Sequence, residues 1–203
     1  MKEFWNTRYQ VDVYAYGKEP NRFLAQELSK LIPGKALFAA EGEGRNAVFA
    51  AKLGWQVTAF DFSVEAKKKA ERLAKEAKVI LDYQVASLEE FSSPSESFDL
   101  LVLIFAHFPE GKRRSFHQKL IQFLKPGGIL ILEGFSKDHL RFNTINEKAG
   151  GPKEESMLFS LEELKKDFEG MDFLIYEELE TELEEGEFHS GQSAVVRIIA
   201  KKR

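Results

Sequence analysis

The segment Ala40-Glu41-Gly42-Glu43-Gly44-Arg45-Asn46 combines two glycines with two carboxylates. The glycines let the main chain turn sharply and let a ligand approach its amide groups, and the acids can face a cation. Alone, such a turn is equally an ordinary strand-to-helix connection. The form GxGxxG is absent, because Arg45, Asn46 and Ala47 follow Gly44, which weakens a nicotinamide or flavin reading. Nineteen positions after Gly42, the run QVTAFD ends on Asp61, with Phe62 and Ser63 next. An acid at the carboxyl end of a second strand can accept both hydroxyl protons of a ribose. Ala86-Ser87-Leu88 follows a third strand-like run, where amide groups and an apolar side chain can hold the edge and face of an adenine.

Inventory removes other chemistries. The chain has no cysteine, which excludes disulfides, thiolate metal sites, iron–sulfur clusters and cysteine nucleophiles. His117 and His139 show no ligand-like spacing with each other or with acids, so both read as surface or packing residues and no metal site is expected.

These residues need elements to hold them. Apolar runs of strand length alternate with helix-period stretches, the signature of βαβ units and a largely parallel sheet. Ala36–Ala40 reads as the first buried strand, followed by a helix from about Asn46 to Leu53 that Gly54 stops. Gln56–Asp61 is the second strand. Ser63 can cap a helix through about Ala77, with Ala66, Ala70, Leu73 and Ala77 at core-facing spacing. Val79–Val85 is the third strand. Phe98–Ile104 is apolar enough to be buried on both faces, and a helix from about Lys112 to Leu124 follows it. Lys125-Pro126-Gly127-Gly128 is a tight turn into a strand at Ile129–Glu133. A helix is expected near Leu161–Phe168, and Phe173–Leu179 and Ala194–Ala200 pair as a hairpin.

The expected architecture is one α/β domain over 1–203, with an N-terminal helical or lid segment at 1–30 and a Rossmann-like core at 36–203. Phe4, Trp5, Tyr9, Tyr14, Tyr16 and Phe23 make the N-terminal stretch aromatic; they pack in the core or fold over a ligand. The loop Ala149-Gly150-Gly151-Pro152-Lys153 suggests a second mobile cover. The acids from Glu177 to Glu187 read as a solvated turn and strand edge. The lysines and arginine from Lys67 to Lys78 alternate with Glu65, Glu71 and Glu76 and read as a solvated helix face. The net charge of −4 disfavours a nucleic-acid footprint. There is no run of about 18 apolar residues and no secretory start after Met1-Lys2-Glu3, so a cytoplasmic protein without a membrane partner is expected.

Several blocks together resemble the class I S-adenosylmethionine-dependent methyltransferases, and among them the small tellurite-resistance-like and thiopurine-methyltransferase-like branch. The blocks are Tyr14-Ala15-Tyr16-Gly17 with Pro20-Asn21, Gly42 to Ala47, Val57 to Asp61, Leu124 to Gly128, and Glu185-Gly186-Glu187-Phe188-His189. The resemblance implies a mostly parallel seven-stranded sheet with helices on both faces. It also implies S-adenosylmethionine as cofactor and S-adenosylhomocysteine as product. The family's usual first-strand acid and first glycine are Phe38 and Ala40 here, so Glu41 or Glu43 would face the methionine ammonium. The aspartate frequent after the third strand is Ser87.

The resemblance places the cofactor against Trp5, Tyr9, Tyr16, Gly17, the turn from Ala40 to Asn46, Asp61 to Ser63, Ala86 to Leu88, Ile104 and Phe105. It places the acceptor beyond the fourth strand, near Phe105 and His107, with His189 and Arg197 on the final hairpin. His107 is either a base for an acceptor that must lose a proton or a cap on local backbone. Arg197 either serves the acceptor or pairs with one of the many acids.

The function expected is direct in-line methyl transfer to a small molecule, through a thiol, a metalloid oxyanion or an oxygen nucleophile, by a monomer or homodimer. The alternatives are a cofactor-binding regulatory module without turnover and a nucleotide-dependent oxidoreductase.

Overall fold

The computed structural model describes residues 2–203, the side chain of Lys2 apart. Two helices come first, α1 (Lys2–Gln10) and α2 (Arg22–Leu28), the latter capped by the Asn21 side chain, which accepts from the Leu24 N–H. Then β1 (Lys35–Ala39), α3 (Arg45–Lys52), β2 (Gln56–Asp61), α4 (Val64–Ala77) and β3 (Asp82–Val85) alternate. They are followed by β4 (Phe98–Ile104), α5 (Glu110–Phe123), β5 (Leu124–Phe135), α6 (Leu140–Asn143), α7 (Leu161–Asp167), β6 (Met171–Glu184) and β7 (Ser190–Lys202).

All seven strands form one sheet in the order β3-β2-β1-β4-β5-β7-β6. Every pairing is parallel except those of β7, which runs antiparallel to β5 and β6. β4 shows why the core sits on both faces. Its Leu101 and Leu103 enter the cluster with Leu120 of α5 and Leu164 and Phe168 around α7, whereas Leu100 and Val102 enter the cluster with Leu24 of α2 and Ala47 of α3. A strand clamped this way cannot slip by one residue without exchanging its faces. This is the Rossmann-like fold of class I methyltransferases, and its strand order reverses between β1 and β4, where open α/β sheets bind ligands.

The Ser63 hydroxyl caps α4 by accepting from the Ala66 N–H. β3 is shorter than Val79–Val85, because Lys78 ends α4 in a left-handed conformation (φ 56°) and the Val79 N–H returns to the Ala74 carbonyl. The chain therefore reaches the ladder only at Asp82. β5 begins directly at Leu124, with Lys125-Pro126-Gly127-Gly128 bulging out between the Phe98–Leu124 and Leu100–Ile129 pairs. The β6–β7 hairpin extends well past its expected ends. Its acidic tip lies on the edge strand β6, where exposed charges blunt further pairing. No helix among the described residues is long and apolar enough to cross a membrane.

Candidate active site

The carboxyl ends of β1, β2, β3 and β4 bring the first group of residues together. After β1 the chain enters the left-handed region at Ala40 (φ 53°), where the resembling family has glycine, and again at Gly42 and Gly44. Gly44 needs its missing side chain: a Cβ there would lie 2.5 Å from the Ala70 Cβ of α4. At Gly42 a Cβ would lie 2.8 Å from the Tyr9 hydroxyl, so the aromatic N-terminus sits directly over the turn. Tyr83 of β3 donates from its hydroxyl to the Gly42 carbonyl at 2.6 Å.

The two acids of the turn have different surroundings. Glu43 is buried and fully engaged: it accepts from the Ala15 N–H at 2.8 Å and pairs with Lys69 at 2.7 Å. Lys69 also donates to the Val13 carbonyl, so this pair ties the N-terminal segment to α4. Lys69 is thus not part of a solvated face. It lies beside Ala66, Ala70 and Leu73 on the inward stripe and is 6% exposed. Glu41 accepts from the Ala47 N–H at 2.8 Å and enters no ion pair among the described residues. Burial pushes its carboxyl up to about 8, opposed by that N–H and by the Arg45 charge.

Asp61 ends β2 buried, accepting from the Gly42 N–H at 3.2 Å and the Ser63 N–H at 2.9 Å. Burial raises it to about 6 against those donors. The Ala86 N–H bonds the Asp61 carbonyl, which sets Ala86, Ser87 and Leu88 beside this carboxylate. Ser87 spends its polar groups locally: its N–H donates to a Glu90 carboxylate oxygen and its hydroxyl accepts from the Glu90 N–H. Leu88 is buried.

Beyond β4, Phe105 is held at φ 51° with its N–H on the Glu133 carbonyl. Both ring nitrogens of His107 meet backbone. Nε2 accepts from the Phe135 N–H at 3.1 Å, so Nδ1 carries the proton and donates to the Met157 carbonyl at 2.8 Å. Burial lowers His107 to about 3. Of its two readings, the geometry favours the backbone cap. His139 is likewise buried between backbone groups, the Gly150 carbonyl and the Ala194 N–H. His117 is buried against Asp167, which also binds Arg113.

His189 lies in a box of rings, with centroids at 4.3 Å from Tyr16, 4.4 Å from Phe105 and 5.0 Å from Phe135. Burial lowers it to about 4, opposed by the Glu185 carboxylate. Phe188 and Trp5 extend the box toward Tyr9, and the Arg8 guanidinium lies over Phe188 and donates to the Tyr16 hydroxyl. The N-terminal aromatics therefore divide: Trp5, Tyr9 and Tyr16 cover the turn and the box, whereas Tyr14 and Phe23 pack in the core clusters. The Gly-rich loop abuts the same box. The Gly150 position lies against the Phe188 carbonyl, and Asn146 donates to the Ser190 carbonyl.

One buried network joins these parts. Asn21 donates to Glu133 at 2.6 Å and to Glu185 at 2.8 Å, and its N–H bonds the Asn46 side chain. Arg45 pairs with Glu185 at 2.6 Å, and Arg197 pairs with Glu133. Arg197 thus occupies an ion pair, with its guanidinium also over Phe23, and Glu185 departs from the solvated acidic stretch around it. Neither Glu133 nor Tyr83 was among the expected site residues. An acid at Glu133 directly after the apolar run Ile129–Leu132 was the available signal for the first; nothing in sequence distinguishes Tyr83.

Residues 36–128 match the family model of a methyltransferase domain, Methyltransf_25. No curated protein matches the chain in sequence. Among solved structures, it is similar to one described by the conversion of a disulfide bond into a thioacetal group during echinomycin biosynthesis, with TM-score 0.80, 20% identity, and coverage of 100% of this chain and 91% of that one. It is similar to TehB from Haemophilus influenzae, with TM-score 0.72, 17% identity, and coverage of 100% and 67%. It also resembles the magnesium protoporphyrin IX methyltransferase ChlM from Synechocystis PCC 6803, solved with bound SAH, with TM-score 0.72, 15% identity, and coverage of 100% and 97%. These likenesses are likenesses of fold, and the match of residues 36–128 to a methyltransferase domain, just under half of the chain, supports methyl-transfer chemistry for the stretch that carries the glycine turn and Asp61.

Proposed function

We propose that this chain methylates a small molecule whose nucleophilic atom reaches the site with its lone pair already free, such as a thiolate, a metalloid oxyanion or a carboxylate. The observation carrying this reading is the ring box around His189. Neither histidine beside it takes a proton near neutral pH, because burial holds His189 at about 4 and His107 at about 3. An alcohol or ammonium acceptor needs a base matched to the working pH. The structure related to echinomycin biosynthesis concerns sulfur chemistry by its description, which supports a soft acceptor and the tellurite-resistance-like branch.

S-adenosylmethionine, when bound, supplies a methyl group already activated on sulfur. The turn residues fit it. Asp61 stands ready for the ribose hydroxyls, Ala86 to Leu88 with Phe62 for the adenine, and the amides of Gly42 to Gly44 for close approach. Glu41 rather than Glu43 is assigned to the ammonium, since Glu43 is committed to Lys69. Trp5, Tyr9, Tyr16 and Gly17 close over the turn and exclude water, and Ile104 and Phe105 set the floor between cofactor and acceptor. The Gly-rich loop gates the acceptor side. His107 ties the β4–α5 loop to β5, Arg197 braces Glu133, and His189 faces the acceptor. The working unit is one cytoplasmic domain over 1–203, a monomer or homodimer with neither nucleic acid nor membrane as partner.

The test is S-adenosylhomocysteine formation at pH 7 with thiols, selenite, tellurite, carboxylates, phenols and alcohols. Turnover confined to the first four classes is expected. Turnover only with alcohols, at a rate rising through neutral pH, would overturn the reading.

A further inference from the structure

Glu185 is the one acid of the Glu177–Glu187 stretch drawn inside to meet both halves of the site. It is 8% exposed. Its Oε2 accepts from Arg45, which opens α3 directly after the glycine turn, and its Oε1 accepts from Asn21. Its N–H donates to the His189 carbonyl at 2.8 Å, closing a tight loop from 185 to 189, and the Glu187 N–H anchors that loop on the Ala15 carbonyl. Across the loop, Glu185 Oε2 lies 3.6 Å from Nδ1 of His189. That nitrogen is shut off from water and has no hydrogen-bond partner among the described residues.

A buried ring nitrogen without a partner calls for an explanation. A lone pair on Nδ1 would face an anion across 3.6 Å inside a box of rings, where repulsion is poorly screened. An N–H there would face the same anion with attraction. A carboxylate that fixes the tautomer of a histidine, and so decides what its other nitrogen offers, is a general device.

We propose that Glu185 is a positioning residue for the acceptor site: it holds the proton of His189 on Nδ1, which leaves Nε2 as a lone pair. Nε2 then accepts a hydrogen bond and cannot donate one, so it orients an acceptor that carries an X–H or cationic group beside its nucleophilic atom. Arg45 and Asn21 hold the carboxylate in place, so the same contacts that shape the cofactor turn also fix the histidine. The proposal rests on the acceptor reading above.

The test is the ring nitrogen-15 spectrum of His189 at pH 7. In the wild-type protein Nδ1 carries the proton and Nε2 shows the signal of a bare lone pair. In Glu185→Ala the two signals exchange or average, because a neutral imidazole left to itself prefers the Nε2–H form. Stranding Arg45 in the interior threatens folding of that variant, so Arg45→Met/Glu185→Leu is measured beside it. Removing both members of a buried pair is tolerated far better than removing one, and the same exchange of signals is expected. A wild-type His189 protonated at Nε2, or a double variant with unmoved signals, overturns the proposal alone. Calorimetry of the wild-type protein with S-adenosylhomocysteine separates the two levels: absence of binding overturns the reading of the site and this role with it.

Discussion

Glu41 makes the assignment of the cofactor turn measurable as protons. Burial holds its carboxyl at about 8 in the free protein, so at pH 7 roughly nine molecules in ten carry the proton there. An ammonium group placed beside Glu41 favours the carboxylate. Binding S-adenosylmethionine at pH 7 therefore releases close to one proton, at a cost of about 1.4 kcal/mol relative to binding at a pH well above 8. The sign for stability is the reverse. A carboxyl raised in the fold contributes most below its unfolded value near 4.5, and that contribution is lost as pH rises through about 8. Apo stability from this group thus falls with pH while cofactor affinity rises. Calorimetry at pH 7 in two buffers of different ionisation enthalpy reads the proton count directly, and Glu41→Gln removes the proton. A wild-type release near zero, or an unchanged release in Glu41→Gln, refutes the assignment of Glu41 to the ammonium.

Asp61→Asn removes the charge that would meet the ribose hydroxyls while keeping an acceptor for one of the two amides, Gly42 or Ser63, that separate Asp61 oxygens serve. Loss of a charge-assisted hydrogen bond is worth about 1.5–3 kcal/mol, so S-adenosylhomocysteine affinity by calorimetry falls roughly 10- to 150-fold; unchanged affinity takes Asp61 out of the ribose site. Ala40→Gly relieves a left-handed alanine at φ 53° and stabilises the fold by about 1 kcal/mol in urea denaturation; a loss of stability would show that the turn is not strained there. Asp167→Asn leaves the buried Arg113 with only its longer contact to Glu163 and takes the charged partner of His117, which costs up to about 3–5 kcal/mol. A midpoint within error of wild type would refute that role for the triad.

How far the sequence could be read depended on the range of each interaction. Gln56–Asp61 and Phe98–Ile104 are strands at the expected bounds, because uninterrupted apolar runs on a doubly covered sheet need no distant information. The Ser63 cap and α4 follow from local spacing. The helical cap at Lys78, which delays β3 to Asp82, is a backbone geometry that a lysine does not announce. The site divides along the same line. The glycine turn and Asp61 come from one βαβ unit, and the structure brings them within hydrogen-bond distance. Asn21 meets partners 112 and 164 positions away, and Arg197 meets Glu133 across β5 and β7, so no local pattern marks them. Lys69 had a legible signal, its place on the alanine stripe of α4, but the charge pattern around it pointed to solvent.

The most direct measurement is calorimetric titration of the purified protein with S-adenosylmethionine, S-adenosylhomocysteine and NADH side by side. Saturable binding of the first two at one site per chain, with no heat from NADH, is the predicted result. Binding of NADH in preference to both, or binding of none of the three, would contradict the assignment of this glycine turn and Asp61 to S-adenosylmethionine.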